Sequence, residues 1–105
     1  MSGSFGELGS LLKQAQQMQR DLDRVREELR NMTVEGHAQG VRVLVAGDRQ
    51  IAKVEIAEEL LAEGDKAVLE DLLLLALQDG VAKAAKLAEE KMGKVTGGVN
   101  LPGLF

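Results

Sequence analysis

From residue 8 to residue 32, Leu8, Leu11, Ala15, Met18, Leu22, Val25, Leu29 and Met32 recur at alternating spacings of three and four. That is the a/d pattern of a coiled-coil seam, held for about three and a half heptads. A helix packed on a globular core would carry a wider apolar stripe; here Leu12 is the only clear widening. A helix over residues 8–32 would be roughly 37 Å long at 1.5 Å per residue. The other residues of a 105-residue chain are too few to cover it, so part of the seam is expected to meet another copy. Leu11, Ala15, Met18, Leu22, Val25 and Leu29 are the expected dimer contacts. Ser4 and Glu7 have the spacing of a capping box for the helix start.

After Met32 the apolar period shortens to two. Residues 33–36 read as a short strand, and residues 41–46 as a better one, with Val41, Val43 and Val45 on one face. Gly47, Asp48, Arg49 and Gln50 supply a turn. Residues 51–56 return with Ala52, Val54 and Ile56 on one side. Gly36 and Gly40 bracket the other connection, which places His37 in a hairpin loop. Three short strands in succession imply an antiparallel meander that needs a helical cover.

Residues 57–62 suggest a helical turn ended by Gly64, with Asp65 as N-cap of a second long helix over residues 66–96. The run 72–77 is apolar nearly all round and demands burial on several sides. Farther along, Val81, Ala84, Ala85, Ala88, Met92 and Val95 share a face, and Gly80 is a weak point between the halves. Gly97 and Gly98 stop the helix, leaving residues 97–105 as a flexible tail. The expected fold is a single α+β domain over residues 1–105, ordered α-β-β-β-α and dimeric.

With two Phe, no Trp and no Tyr, the interior must come from aliphatic side chains, and association between chains is the usual supplement in so small a scaffold. Absence of Cys excludes disulfides, thiolate zinc sites and thiol nucleophiles. No apolar run approaches the length of a membrane span, and the N-terminus lacks a signal-peptide pattern. A soluble cytoplasmic protein without membrane contact is expected.

An enzyme needs a poised nucleophile, an acid–base pair or a metal site. His37 is the single histidine, and the adjacent carboxylates Glu58/Glu59 and Glu89/Glu90 point in different helical directions. Neither glycine cluster leads from a strand into a helix as a phosphate loop does. No catalysis, metal, cofactor or small-molecule substrate is expected.

The net charge of −4, from 17 acids and 13 bases, argues against coating nucleic acid by bulk charge. Local patterning says more. In the frame that places Leu8 at a, Lys13 and Arg20 fall at f, Arg24 at c and Arg30 at b, all away from the seam. Asp23 and Glu27 share that surface, so it reads first as a solvated face. On the second helix Lys83 and Lys94 are eleven residues apart, nearly three whole turns, and point the same way. Lys86 and Lys91 flank that direction, opposite the Val81/Ala84/Ala88/Met92 face. Amines so spaced can follow a phosphate backbone, although any soluble helix needs a charged outer face. With no aromatic residues interleaved among these bases for stacking on single strands, duplex DNA is the better-matched nucleic acid.

The ordered set of segments resembles the YbaB/EbfC family of nucleoid-associated proteins. It comprises Leu11-Leu12-Lys13-Gln14-Ala15-Gln16-Gln17-Met18-Gln19, then Thr33-Val34-Glu35-Gly36, then Val54-Glu55-Ile56 followed by Leu60-Leu61. It continues with Leu69-Glu70-Asp71-Leu72, Lys91-Met92-Gly93 and Thr96-Gly97-Gly98, and closes on Leu101-Pro102-Gly103-Leu104-Phe105. The resemblance implies a tweezer-shaped homodimer in the nucleoid that binds duplex DNA through its helices with little sequence preference. Carried over residue by residue, it favours Lys13, Lys83, Lys86, Lys91 and Lys94, with Arg20 added from the helix geometry. Gly80 after Asp79 departs from the family pattern, as do middle strands less basic than in many relatives. The rival reading is a coiled-coil interaction scaffold or chaperone-like dimer that ignores DNA.

Overall fold

The computed structural model describes residues 2–97; the expected flexible tail lies, apart from Gly97, outside them. The elements run α1 (Ser2–Arg30), β1 (Thr33–Ala38), β2 (Val41–Ala46), β3 (Ile51–Ile56), α2 (Glu58–Ala62) and α3 (Lys66–Val95). The three strands form an antiparallel meander in the order β1-β2-β3. Apart from the single turn of α2, this is the α-β-β-β-α order read from the sequence. Helix α1 starts at Ser2, ahead of Ser4, so the Ser4/Glu7 box does not cap it. Strand β1 runs on through His37, which pairs with Arg42. His37 is therefore a strand residue and not a loop residue.

The sheet owes its inner face to β2, where Val41, Val43 and Val45 are at most 2% exposed. Helix α3 covers that face across β1 and β2. Its buried residues, Ala76, Gly80, Ala84, Ala88 and Met92, recur every four positions. A four-residue repeat drifts around a helix of 3.6 residues per turn, so the buried stripe winds. Ala76 and Ala84 join the valines of β2 in one cluster, while Ala88 and Met92 join Leu22, Val25 and Leu29 of α1 in another. One helix thus spans the sheet and then lines the end of α1.

Gly80, the expected weak point, is where the two layers touch. A Cβ on Gly80 would stand 2.6 Å from Val45 Cγ2, and one on Gly36 would stand 2.2 Å from the Ala76 carbonyl oxygen and 2.4 Å from the Gly80 nitrogen. Strand β1 crosses α3 backbone to backbone, which only a glycine pair permits. The C-terminus of α1 is fixed to the sheet by the Gly47 amide, which donates to the carbonyls of Leu29 at 2.9 Å and Met32 at 3.0 Å.

Strand β3 departs from the expected pattern. Its register with β2 shifts between Leu44 and Val45, so Val45 faces Ile51 and Leu44 faces Lys53. Ala52 is the extra residue of a bulge. Ile51 therefore shares the inner side with Val54 and Ile56, and Ala52 does not. All three are left largely uncovered by α3, at 45%, 43% and 38% exposed. The radius of gyration is 20.4 Å, with extents of 77 × 20 × 15 Å, where a globule of this length would have about 13 Å. The excess comes from α1, whose first two-thirds project past the end of α3.

Candidate nucleic-acid interface

The two long helices leave the sheet side by side and antiparallel, because α1 runs toward the sheet while α3 runs away from it. Where they overlap, Leu22, Val25 and Leu29 are buried against Ala88 and Met92, with Leu87 and Val95 packed alongside. The inner half of the heptad seam is therefore filled within the protomer. The outer half is not: Leu11 is 60% and Met18 36% exposed, and Ala15 is exposed.

The cations near the sheet are tied to acids. Arg24 is 3.2 Å from Asp21 and 3.8 Å from Glu28, Arg26 is 2.9 Å from Asp23, and Arg30 is 2.8 Å from Glu27. These are same-helix pairs at spacings of three and four, which the helix brings together by geometry alone. On the outer face of the sheet Arg42 bridges Glu35 and Glu55, and Lys53 also reaches Glu55 at 3.0 Å. The Arg42 hydrogen bond holds the Glu35 carboxyl below its ordinary value, and Lys53 does the same for Glu55. Cross-strand register explains the set, since Arg42 lies opposite both His37 and Glu55. His37 Nε2 is 3.0 Å from Glu35, so the histidine sits at the edge of the ion-pair network.

Lys83 does not present a free amine. Its Nζ donates to Asp79 Oδ2 at 2.9 Å and to the Glu35 carbonyl at 3.1 Å, and the same Asp79 oxygen accepts from the His37 amide at 2.9 Å. The Lys83 hydrogen bond, followed by that of the His37 amide, lowers the Asp79 pKa. Lys83 and Asp79 together clamp β1 to α3. The i,i+4 spacing of the two could have signalled this in the sequence; the approach of β1 could not.

The remaining expected cations behave differently. Lys13, Arg20, Lys86 and Lys94 are exposed and Lys91 is partly covered. Among the described residues none of the five forms an ion pair; Arg20 makes only a 3.3 Å bond to Gln17. Lys13 and Arg20 are seven residues apart, about 10 Å along one face of α1, and Lys86 and Lys94 are eight apart, about 12 Å along α3. Between residues 7 and 20 bases exceed acids by one, and they do so again between residues 86 and 95. Arg49, in the β2–β3 turn, and Lys66, at the far end of α3, also lack an ion-pair partner among the described residues, but both lie away from the arm.

Among the described residues no group of three or more His, Cys, Asp or Glu side chains is placed to hold a metal. No described helix is long and apolar enough to cross a membrane.

The profile of the YbaB/EbfC DNA-binding family matches residues 5–99. A nucleoid-associated protein of Acetivibrio thermocellus is 41% identical, over 98% of this chain and 94% of its own. Another, from Pelotomaculum thermopropionicum, is 39% identical over 95% and 97% respectively. Among solved structures, an uncharacterized protein from Helicobacter pylori shares the fold with a TM-score of 0.63 at 24% identity, over 88% of this chain and 91% of that one.

Proposed function

The chain belongs to the YbaB/EbfC DNA-binding family, and from that premise we propose that it acts at the nucleoid as a homodimer. It grips duplex DNA, with little sequence preference, through the basic residues on the projecting parts of α1 and α3, and so contributes to nucleoid organisation and gene regulation. The observation that carries this reading is the division of the cations. Arg24, Arg26, Arg30, Arg42, Lys53 and Lys83 are neutralised by neighbouring acids, whereas Lys13, Arg20, Lys86, Lys94 and the partly covered Lys91 have no carboxylate partner among the described residues. The second set can neutralise phosphates, releasing the counterions condensed on DNA, without first giving up an ion pair. Phosphate contacts carry no base information, which accounts for the lack of sequence preference.

Support for a second copy comes from the uncovered side of the sheet. Ile51 lines an open groove of about 660 Å³ with Leu77, Val81 and Ala85 among others; Val54 and Ile56 of the same strand are 43% and 38% exposed, and Leu74 on the same side of α3 is 55% exposed. Contiguous apolar surface of this kind marks an association site. With Leu22, Val25 and Leu29 already engaged by α3, this face and not the inner seam joins the two copies.

Gel-shift titration against random duplex DNA at two salt concentrations tests the proposal. The wild-type protein should bind and weaken steeply with salt. Lys86→Gln with Lys94→Gln removes four cations from a dimer and should lower the logarithmic salt slope by up to about 3.6. Lys13→Gln with Arg20→Gln should act likewise. Absence of binding at low salt would hand the protein to the interaction-scaffold reading.

A further inference from the structure

We propose that the outer half of the α1 seam is an interface between dimers. The projecting part of α1 pairs antiparallel with the same part of α1 from a copy in another dimer, about a two-fold axis at Lys13. Leu8, Leu11, Ala15 and Met18 carry on the three-four spacing of the inner seam, which α3 already fills. Among the described residues nothing buries them: Leu8 and Leu11 are 58% and 60% exposed, and Met18 is 36% exposed. Regular apolar surface left bare on a rod is disfavoured by water and marks an association site.

The order of residues selects the occupant. The spacing is symmetric about residue 13, so an antiparallel copy sets Leu8 against Met18 and Leu11 against Ala15, each pair occurring twice. Leu11 then fills the shallow point that Ala15 leaves. A parallel copy would put Ala15 on Ala15 and leave a void there. Leu12, at e beside the seam and 63% exposed, comes beside the Leu12 of the other copy, because e positions share one flank of an antiparallel pair. Gln14 and Gln19 on the flanks carry no charge to repel. The register makes one like-charged pair, Glu7 with Asp21, and its repulsion is blunted because Asp21 accepts from Gln17 at 3.0 Å and pairs with Arg24 at 3.2 Å.

Length assigns the two copies to different dimers. From Lys13 to Arg30, the end of α1 at the sheet, is seventeen residues, about 26 Å of helix. An antiparallel pair centred on Lys13 holds its two sheets about 50 Å apart, which copies joined through their sheets cannot satisfy. The same register brings the start of the incoming α1 level with Leu22, where α3 ends its cover of the seam. One seam is thus filled by α3 and then by the neighbour's α1, with opposite dipole ends adjoining. Lys13 and Arg20 sit at f, on the far side of each helix from its partner, so the pair carries these cations on two opposite outer faces. Resting on the DNA-binding reading above, the contact makes each pair of arms a bridge between two duplexes. The overlap is short, and it gains from the high local concentration of arms along DNA.

The chain has no cysteine, so copies bearing Leu11→Cys and copies bearing Ala15→Cys can be mixed and mildly oxidised, with and without random duplex DNA. The mixture should cross-link, faster with DNA, and the product should sediment as a tetramer or larger. Leu11→Gln with Met18→Gln leaves every charge unchanged; it should shift a single duplex as wild type does but lose the capture of a free labelled duplex on bead-bound duplex. Absence of the mixed cross-link in both conditions overturns the proposal, as does a cross-linked product that stays a dimer. So does a Leu11→Cys protein that cross-links best with itself, since the arms would then lie parallel. A mixed cross-link in a protein that shifts no duplex upholds the arm contact and refutes the DNA-binding reading, so the two fail separately.

Discussion

Placing a methyl group at Gly36 should damage the fold far more than placing one at Gly80, although the two glycines face each other. At Gly36 the new Cβ meets only backbone: the Ala76 oxygen at 2.2 Å, the Gly80 nitrogen at 2.4 Å and the Gly80 Cα at 2.6 Å. Neither partner can rotate away, so β1 and α3 must separate by about 1 Å before the contact reaches ordinary van der Waals distance. That separation also unseats Val43 and Val45, both fully buried, and loosens the Lys83–Asp79 clamp. Overpacking alone costs about 1–3 kcal/mol; with lost packing added, Gly36→Ala should cost at least about 3 kcal/mol. At roughly 4–8 °C per kcal/mol for a domain of this size, the melting temperature falls by more than about 12 °C. At Gly80 the worst contact is a side-chain methyl, Val45 Cγ2 at 2.6 Å, and the next is 3.3 Å away. Alanine also gains about 1 kcal/mol of helix propensity over glycine. Gly80→Ala should therefore lie within about 2 kcal/mol of wild type. Thermal melts by far-UV circular dichroism, at equal protein concentration because self-association would shift the midpoint, decide the matter. A Gly36→Ala protein melting within about 4 °C of wild type, or one more stable than Gly80→Ala, would refute the backbone-contact argument.

Acid should destabilise the protein, because Glu35, Glu55 and Asp79 all have pKa values below the ordinary 4.5, 4.5 and 3.8. Depressed carboxylates contribute stability that is complete above those ordinary values and fades as pH falls through the lowered ones; a melting temperature that rises on acidification through this range contradicts the assignment. Lys83→Met should shrink the Asp79 share of that acid sensitivity and leave low-salt DNA affinity close to wild type, since its amine is already committed; a loss of affinity as large as that of Lys86→Gln with Lys94→Gln would show Lys83 on the DNA. If the proposed dimer forms on the uncovered side of the sheet, Ile51→Asp with Val54→Asp should convert it to monomer in sedimentation, because both are exposed apolar residues of β3 and a buried unpaired carboxylate is costly. Met18→Asp should leave that proposed dimer intact, and the reverse outcome would move the interface to α1.

The heptad seam, the meander and the Asp65 cap, whose carboxylate accepts from the Val68 amide at 3.2 Å, were legible because each is a local pattern. What was not legible depended on a second element arriving. The seam shows that a partner exists, but nothing in its spacing says that Ala88 and Met92 of the same chain fill half of it. Gly80 reads as a flaw until Gly36 lies against it. Ala52 reads as an inward residue because strict alternation cannot foresee a bulge that inserts one position into β3. On the candidate site, helical angles alone gave the outward direction of Lys86 and Lys94. The same angles placed Lys83 with them, but could not foresee that β1 brings the Glu35 carbonyl to an amine already paired with Asp79 on its own helix.

The net charge of −4 looks like an objection to DNA binding, and the structure shows why its weight is small. Acids are concentrated in α2 and the first turns of α3, at Glu58, Glu59, Glu63, Asp65, Glu70 and Asp71. Sixteen residues of helix, about 24 Å, separate Glu70 from Lys86, and about 36 Å separate it from Lys94. Screening at physiological ionic strength has a length of about 8 Å, so these carboxylates act on Lys86 across some three screening lengths and on Lys94 across more than four. The nearer acids, Asp21, Asp23, Glu27 and Glu28, are occupied by arginines on their own helix. A phosphate approaching the projecting arm meets Lys13, Arg20, Lys86, Lys91 and Lys94, with Glu7, Glu89 and Glu90 as the local opposition. The arm is weakly basic and the sheet end is acidic, so the proposed DNA contact through the arm meets less repulsion than the net charge suggests.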